Sequence, residues 1–232
     1  MGLSPITTAT IQSAVLGATS NLVAQAITAY QSDKPFVVDW VPVFQYLVFI
    51  IVSTPPNFMW QDLLESSYPS TTPVPSREAI NSASHSNEKE LDREAREGKL
   101  VEEKLSVPNT IIKFILDQSI GAAVNTVAFS LFTHSIQQAM SHRTTGPSES
   151  VAFLVRGWGS SGGPVDYSQV DWKLVLEEAK REFVPIMKAG WALWPWVSLF
   201  NFAVVKSIEV RSLIGAVAGM VWGVYMSLIS SR

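Results

Sequence analysis

The chain has no cysteine, only three histidines and, through its first 32 residues, no charged side chain at all. Without cysteine there are no disulfides, no thiolate nucleophile and no zinc–thiolate centre. Basic residues number 17 against 20 acidic ones, a net charge of −3. No basic stripe is therefore available to neutralise phosphates, which excludes nucleic acid as a partner. Catalytic signatures are also missing. His85, His134 and His142 fall in separate regions without metal-ligand spacing, and no nucleophile elbow, dinucleotide fingerprint or paired-carboxylate motif occurs. The expectation is a protein that is not an enzyme and has no catalytic, cofactor-binding or metal-binding residues. Charge of either sign is scarce: 16% of the 232 residues are charged, 47% are hydrophobic and the mean hydropathy is +0.20. Soluble domains usually carry nearer a quarter of charged residues, spread over the surface. Nor is a targeting signal evident. Met1-Gly2-Leu3-Ser4-Pro5 has no basic flank, Ile6 breaks a myristoylation pattern, and Ser-Ser-Arg is not a peroxisomal tripeptide. Any address is expected to be internal.

What the chain does have is long apolar stretches. Residues 5–30 are long enough to cross a bilayer but carry Gln12, Asn21 and Gln25, so this segment should pack among other helices rather than face lipid all round. A second span lies between Trp40 and Trp60, whose indoles could sit at opposite interfaces. Pro55-Pro56 inside it predict a kink or an early helix end. A third span, 109–140, embeds Lys113, Asp117, Gln118 and Asn125. Two more apolar segments, 186–206 and 208–230, meet at a junction containing Lys206, Glu209 and Arg211. In the last of them Gly215, Gly219 and Gly223 recur every fourth residue, which predicts a helix-packing seam, with a dimer interface as the other reading. Trp191 and Trp194, with Trp40 and Trp60, read as interface anchors.

Between the spans the composition changes. Residues 66–108 are rich in Ser, Thr and Pro and then densely charged, with Asp92/Arg96 and Lys99/Glu103 as opposite charges four apart. This is a solvated, partly helical insert, or a docking site for a partner. Residues 141–170 form a Gly-rich loop in which Gly157, Gly159, Gly162 and Gly163 cluster. No Gly-Lys-Ser/Thr follows, so a phosphate cradle is dismissed in favour of a linker. From 170 to 184, Trp172, Val175, Leu176, Ala179 and Phe183 make an amphipathic face, suited either to the membrane surface or to an ordinary surface helix. Six basic residues in 66–108 against five in 141–184 leave the orientation open.

Ionisable and amide side chains inside such spans must turn inward and pair. Asn21, Gln25, Lys113, Asp117, Gln118, Asn125, Asn201 and Arg211 are therefore the candidate polar interior. They either line a water-accessible path or bond one another as glue between helices. Lys113 lies one helical turn before Asp117, and Arg211 or Lys206 could approach it from the C-terminal hairpin.

The C-terminal pattern Trp191-x-x-Trp194-Pro195-x5-Asn201-Phe202, followed by Arg211-x10-Trp222-x-x-Tyr225-x-Ser227, resembles the signature of the Mpv-seventeen/peroxisomal-membrane-protein family. Lys113-x-x-x-Asp117-Gln118 is similar to another element of that family, as are Pro55, Trp60 and Leu64, and Asn21 with Gln25. The chain departs from the pattern at Asn21, Thr54, Gln61, Ala123 and Ser198, and its 66–108 insert is long for the family. The resemblance implies a small multi-pass organelle membrane protein, in the mitochondrial inner membrane or alternatively the peroxisomal membrane, with channel-like or metabolite-permeation behaviour.

These readings converge on an all-α polytopic helical membrane bundle of four to five transmembrane helices plus an interfacial amphipathic helix. Residues 1–232 form one membrane domain interrupted at 66–108 and 141–170. Its expected partners are membrane lipids and either further copies of itself or a larger membrane complex. The function expected is permeation; the alternative is a non-transporting accessory subunit of a larger assembly, such as a respiratory one.

Overall fold

A computed structural model describes residues 2–85, 88–156 and 163–230. Glycines 157, 159 and 162 of the expected loop lie outside the described residues, as does the side chain of Ser227. The long helices are α1 (Pro5–Gln31), α2 (Trp40–Ser67), α5 (Val107–Leu116) running into α6 (Ala122–Ala139), and α10 (Ile208–Ser230). Between α2 and α5 lie β1 (Thr71–Pro75), α3 (Arg77–Ser84), α4 (Glu88–Arg96) and β2 (Val101–Leu105). After α6 come α7 (Ser150–Val155), α8 (Trp172–Gly190) and α9 (Trp194–Val204). Among the described residues, three helical stretches are long and apolar enough to cross a membrane: Trp40–Ser67, Val107–Ala139 and Ile208–Tyr225.

Polarity is distributed inside out relative to a water-soluble protein. Ile51, Val52, Met59, Leu63, Ile115 and Val124 are exposed, whereas Lys113 and Arg211 have 0% and 1% of their surface accessible. A water-soluble fold would reverse both sets, because fully burying a cation is costly and long apolar side chains belong inside. Lipid around the bundle accounts for both. The chain is a helical membrane bundle.

α1 fails the apolarity test, yet spans about 40 Å at the helical rise. It packs between α2 and α10. Ser4 caps its first turn by accepting from the Thr7 N–H, with Pro5 at the first helical position. The hydroxyls of Thr10, Thr19 and Thr28 donate to the carbonyls of Ile6, Val15 and Ala24, one turn back. Those polar groups are thus satisfied by their own helix and need no water. Ser20 donates to the Met220 carbonyl of α10 at 3.0 Å. Gly223 lies opposite it: a Cβ added there would come within 2.7 Å of the Ser20 Oγ. The glycine is what lets α10 close on α1.

Three stretches differ from the sequence expectation. α2 passes through Pro55 and Pro56 and ends only at Ser67. The two prolines remove the donors that the Ile51 and Val52 carbonyls would receive, yet the helix does not end there; Phe58 beyond them is buried, while Ile51, Val52 and Met59 are exposed. Residues 186–206 are not one span: α8 ends at Gly190, a turn covers Trp191–Leu193, and α9 has only 11 residues. Pro195 sits in the first turn of α9, where its missing N–H is tolerated; carrying α8 through it would cost a helical bond. The charged insert also contains an antiparallel hairpin, with Thr71 opposite Leu105 and Pro75 opposite Val101. Lys99 consequently pairs with Glu97 at 2.7 Å rather than with Glu103 along a helix.

α8 opens with Asp171, whose carboxylate accepts from the Lys173 and Leu174 N–H groups. It buries Val175 and Ala179 against α6 and leaves Trp172, Leu174 and Leu176 exposed. Val175 joins Ala139 and Val170 in a small apolar cluster.

Candidate functional site

The C-terminal end of α2, the last turn of α5 and the α9–α10 junction meet at a buried charge cluster. Glu65 Oε2 accepts from Lys113 Nζ at 2.6 Å and from Arg211 Nη1 at 2.6 Å. Ser70 completes it. Its N–H donates to Glu65 Oε1 and its hydroxyl to Glu65 Oε2, while the same hydroxyl lies within hydrogen-bonding reach of Lys113 Nζ and Arg211 Nη2. Arg211 Nε donates to the Val205 carbonyl at 2.9 Å, and the Asn201 amide donates to the Arg211 carbonyl at 3.2 Å. The Phe202 ring, 1% exposed, lies 5.1 Å from Lys113 Nζ and 5.5 Å from the Arg211 guanidinium carbon. A ring face between two ammonium-like groups stabilises both by cation–π attraction. Two buried cations therefore share one carboxylate, leaving a surplus positive charge.

One turn beyond Lys113, residues Asp117–Gly121 form a π-helical turn between α5 and α6. Such a turn inserts one residue into the helical ladder and re-aims the side chains beside it. Here it presents Asp117 to two neighbouring helices. Asp117 Oδ1 accepts from Trp60 Nε1 (3.3 Å) and Gln61 Nε2 (3.1 Å) of α2; Oδ2 accepts from Ser198 Oγ (2.7 Å) of α9 and from Gln118 Nε2 (3.1 Å). Four neutral donors fill the carboxylate's lone-pair positions, and no cation touches it among the described residues. Gly121 gives Trp60 its room, since an added Cβ would come within 2.9 Å of the indole nitrogen.

Asp117 borders a cavity of about 330 Å³. Of the expected polar residues, Asp117, Gln118, Asn125, Asn201 and Arg211 line it, together with Gly215 and Gly219. Asn21 and Gln25 do not. They line a second cavity of about 810 Å³ toward the start of α2, where Gln25 clamps the chain before α2. Its side chain accepts from the Asp39 N–H and donates to the Asp39 carbonyl and to Asn21, each at 2.8 Å. The Asp39 carboxylate in turn receives both of its short bonds from Arg143, at 2.8 Å. Lys113 lines neither cavity, being consumed by Glu65 and Ser70.

Three placements depart from the expected ones. Arg211, offered with Lys206 as a cation that could approach Asp117, instead has its guanidinium engaged by Glu65, which lies at the end of α2 across from the α9–α10 turn. Trp60 was expected at an interface; its N–H instead points inward at Asp117. Trp194 packs edgewise on Trp222 with centroids 6.5 Å apart and touches Gly219, so it serves the helix seam, while Trp40 and Trp191 remain exposed. The three glycines have separate surroundings: Gly223 meets Ser20, Gly219 meets Trp194, and Gly215 has open space beside it.

Sequence reasoning missed Glu65, Ser70, Gln61, Ser198, Asp39 and Arg143. A carboxylate two residues before the end of α2 was a usable signal for Glu65, since buried Lys113 and Arg211 required one. One further group brings together ionisable residues from two helices: His134 of α6 and Glu178 and Glu182 of α8 offer ligand atoms all within 4.8 Å of one another. These are the residues that could hold a metal ion. His134 lies 2.9 Å from Glu182 across α6 and α8, and Glu178 pairs with Arg181 within α8, so these atoms already have partners inside the protein. Spacing along the chain could not reveal it, because the ligands come from separate helices.

Membrane-crossing helices around buried, paired charges define a polytopic helical membrane protein. Comparison with known sequences takes this one step further. Residues 168–227, which contain α8, α9 and most of α10, match the Mpv17 / PMP22 family. PXMP2/4 family protein 3 of Dictyostelium discoideum is 35% identical over 60 residues, covering 26% of this chain and 32% of the relative. No solved structure matches. The chain is thereby a helical membrane protein whose C-terminal segment is similar to that family.

Proposed function

We propose that the protein is a channel-like permeation protein for small solutes. The observation that carries this reading is the arrangement of the two cavities. Pro42, Gln45, Tyr46 and Phe49 of α2 border the larger one, and Tyr46, Phe49, Asn57 and Gln61 of the same helix border the smaller. The cavities thus lie end to end along α2. From Pro42 to Gln61 the helix rises about 29 Å, close to the thickness of a bilayer's hydrocarbon core. Tyr46, Phe49, Phe129 and Trp222 line both, forming an aromatic partition between two chambers that each carry polar side chains. Phe49 packs edge-on against Phe129 at 5.3 Å. An apolar constriction between two wider chambers is how pores stay closed without a charged gate.

The two organelle membranes implied by the family, mitochondrial inner and peroxisomal, are both compatible with this role; imaging a tagged chain against markers of each decides between them. The reading itself is tested by reconstituting the full chain into liposomes and following osmotic solute entry by light scattering. Phe49→Ala, which thins the partition, should raise the entry rate several-fold. Wild-type vesicles no leakier than empty ones, with the protein migrating only inside a larger assembly, would instead favour an accessory subunit.

A further inference from the structure

We propose that the cavity beside Asp117 is a binding site for a small, uncharged, hydroxyl-rich solute, recognised by side-chain oxygens that the protein leaves without donors. This rests on the permeation reading and specifies its substrate class.

Gln61 Oε1, Gln118 Oε1 and Asn201 Oδ1 are all buried and have no hydrogen-bond partner among the described residues. All three side chains line the same cavity, and Asn201 is only 7% exposed. Their orientation is fixed by chemistry. Gln61 and Gln118 donate their amide nitrogens to the Asp117 carboxylate, and Asn201 donates to the Arg211 carbonyl. Those partners can only accept, so turning any of the three amides over would set oxygen against oxygen. Three acceptors are therefore left over by design of the network. A buried acceptor without a donor costs about 1–3 kcal/mol, and a solute that supplies hydroxyls recovers that cost on entry.

Charge decides between classes of donor. Asp117 has its acceptor positions filled by four neutral donors, and its negative charge offsets the surplus cation of the neighbouring Lys113–Glu65–Arg211 cluster. Two carboxylates face two cations, so the region attracts neither anions nor cations as a net monopole. An ammonium compound or a carboxylic acid gains little there; a neutral polyol satisfies the oxygens without importing charge. The indole surfaces of Trp191, Trp194 and Trp222 on the same wall supply apolar area for its carbon skeleton. The volume of about 330 Å³ lies at the small-ligand end of known sites.

The test uses the full-length chain in lipid nanodiscs and equilibrium dialysis with labelled glycerol, erythritol and a hexitol, alongside size-matched succinate and putrescine. The polyols should be retained and the two ions not. Asn201→Leu and Gln118→Met, which keep side-chain volume but remove the oxygen, should each weaken polyol retention about three- to tenfold, the equivalent of one hydrogen bond. Thr19→Val, outside both cavities, should leave retention unchanged. Thermal melting of every variant separates lost binding from lost folding. Preferential retention of succinate or putrescine, or undiminished polyol binding by both folded variants, overturns the proposal. Solute entry into liposomes without polyol binding sinks this inference alone; polyol binding without entry sinks the permeation reading and leaves the binding site standing.

Discussion

Two carboxylates sit a few turns apart in this bundle and are treated in opposite ways. Glu65 is held by Lys113, Arg211 and Ser70, in a cluster whose cations are all but inaccessible. Asp117 is held only by neutral donors and borders open volume. A carboxylate matched by buried cations is committed to holding helices together, since moving it strands two charges in a low dielectric. One solvated by neutral donors can keep its charge beside a cavity at far smaller structural risk. The same side-chain chemistry serves anchorage in one place and a solute-facing wall in the other.

That contrast can be broken in graded steps. Glu65→Ala leaves Lys113 and Arg211 buried without their shared counter-charge and should destabilise the bundle by about 3–5 kcal/mol, measured as thermal unfolding in detergent; Glu65→Ala with Lys113→Met should recover part of the loss. Asp117→Leu strands four neutral donors rather than charges. Its cost should be smaller, about 2–3 kcal/mol, but its effect on solute entry should exceed that of any Glu65 variant that still folds. Ser198→Ala removes one bond to a charged acceptor and should cost about 1.5 kcal/mol. Phe202→Leu keeps the cluster's hydrogen bonds and removes only the ring face, for a loss of about 1 kcal/mol with solute entry unaltered. If Asp117→Leu proved more destabilising than Glu65→Ala, the two sites would not differ in kind.

The membrane class was legible because it depends on composition over long windows. Charge-free α1, apolar α2 and α10, and polar residues stranded among apolar ones are visible without knowing any contact. Asn201, Gln118, Asn125 and Arg211 were identifiable as inward-facing for the same reason, and they do share one cavity with Asp117. Partnerships were not legible. The carboxylate that Arg211 actually meets was not foreseen, Asp117 having been offered as a partner for Arg211 or Lys206, because Glu65 lies 146 positions away along the chain and only the approach of α2 to the α9–α10 turn brings them together. Asn21 and Gln25 looked equivalent to Gln118, yet they secure the α1–α2 connection beside the other cavity. The division of 186–206 was signalled by Pro195, but apolarity outweighed it. The hairpin in the insert was hidden by Lys99 and Glu103, whose four-residue spacing suits a helix on paper and lies across strand residues in space.

Ser70 occupies an unusual position. It is a hub of the ionic cluster, and its carbonyl also accepts from the Ser106 N–H at 2.8 Å, the first bond below the β1–β2 ladder. The exposed hairpin and the buried charges are therefore joined through Ser70. A protein that gripped the hairpin and tugged would not merely displace a surface ornament. It would pull on the hydroxyl that Lys113 and Arg211 lean upon, making the hairpin a lever on the buried cluster.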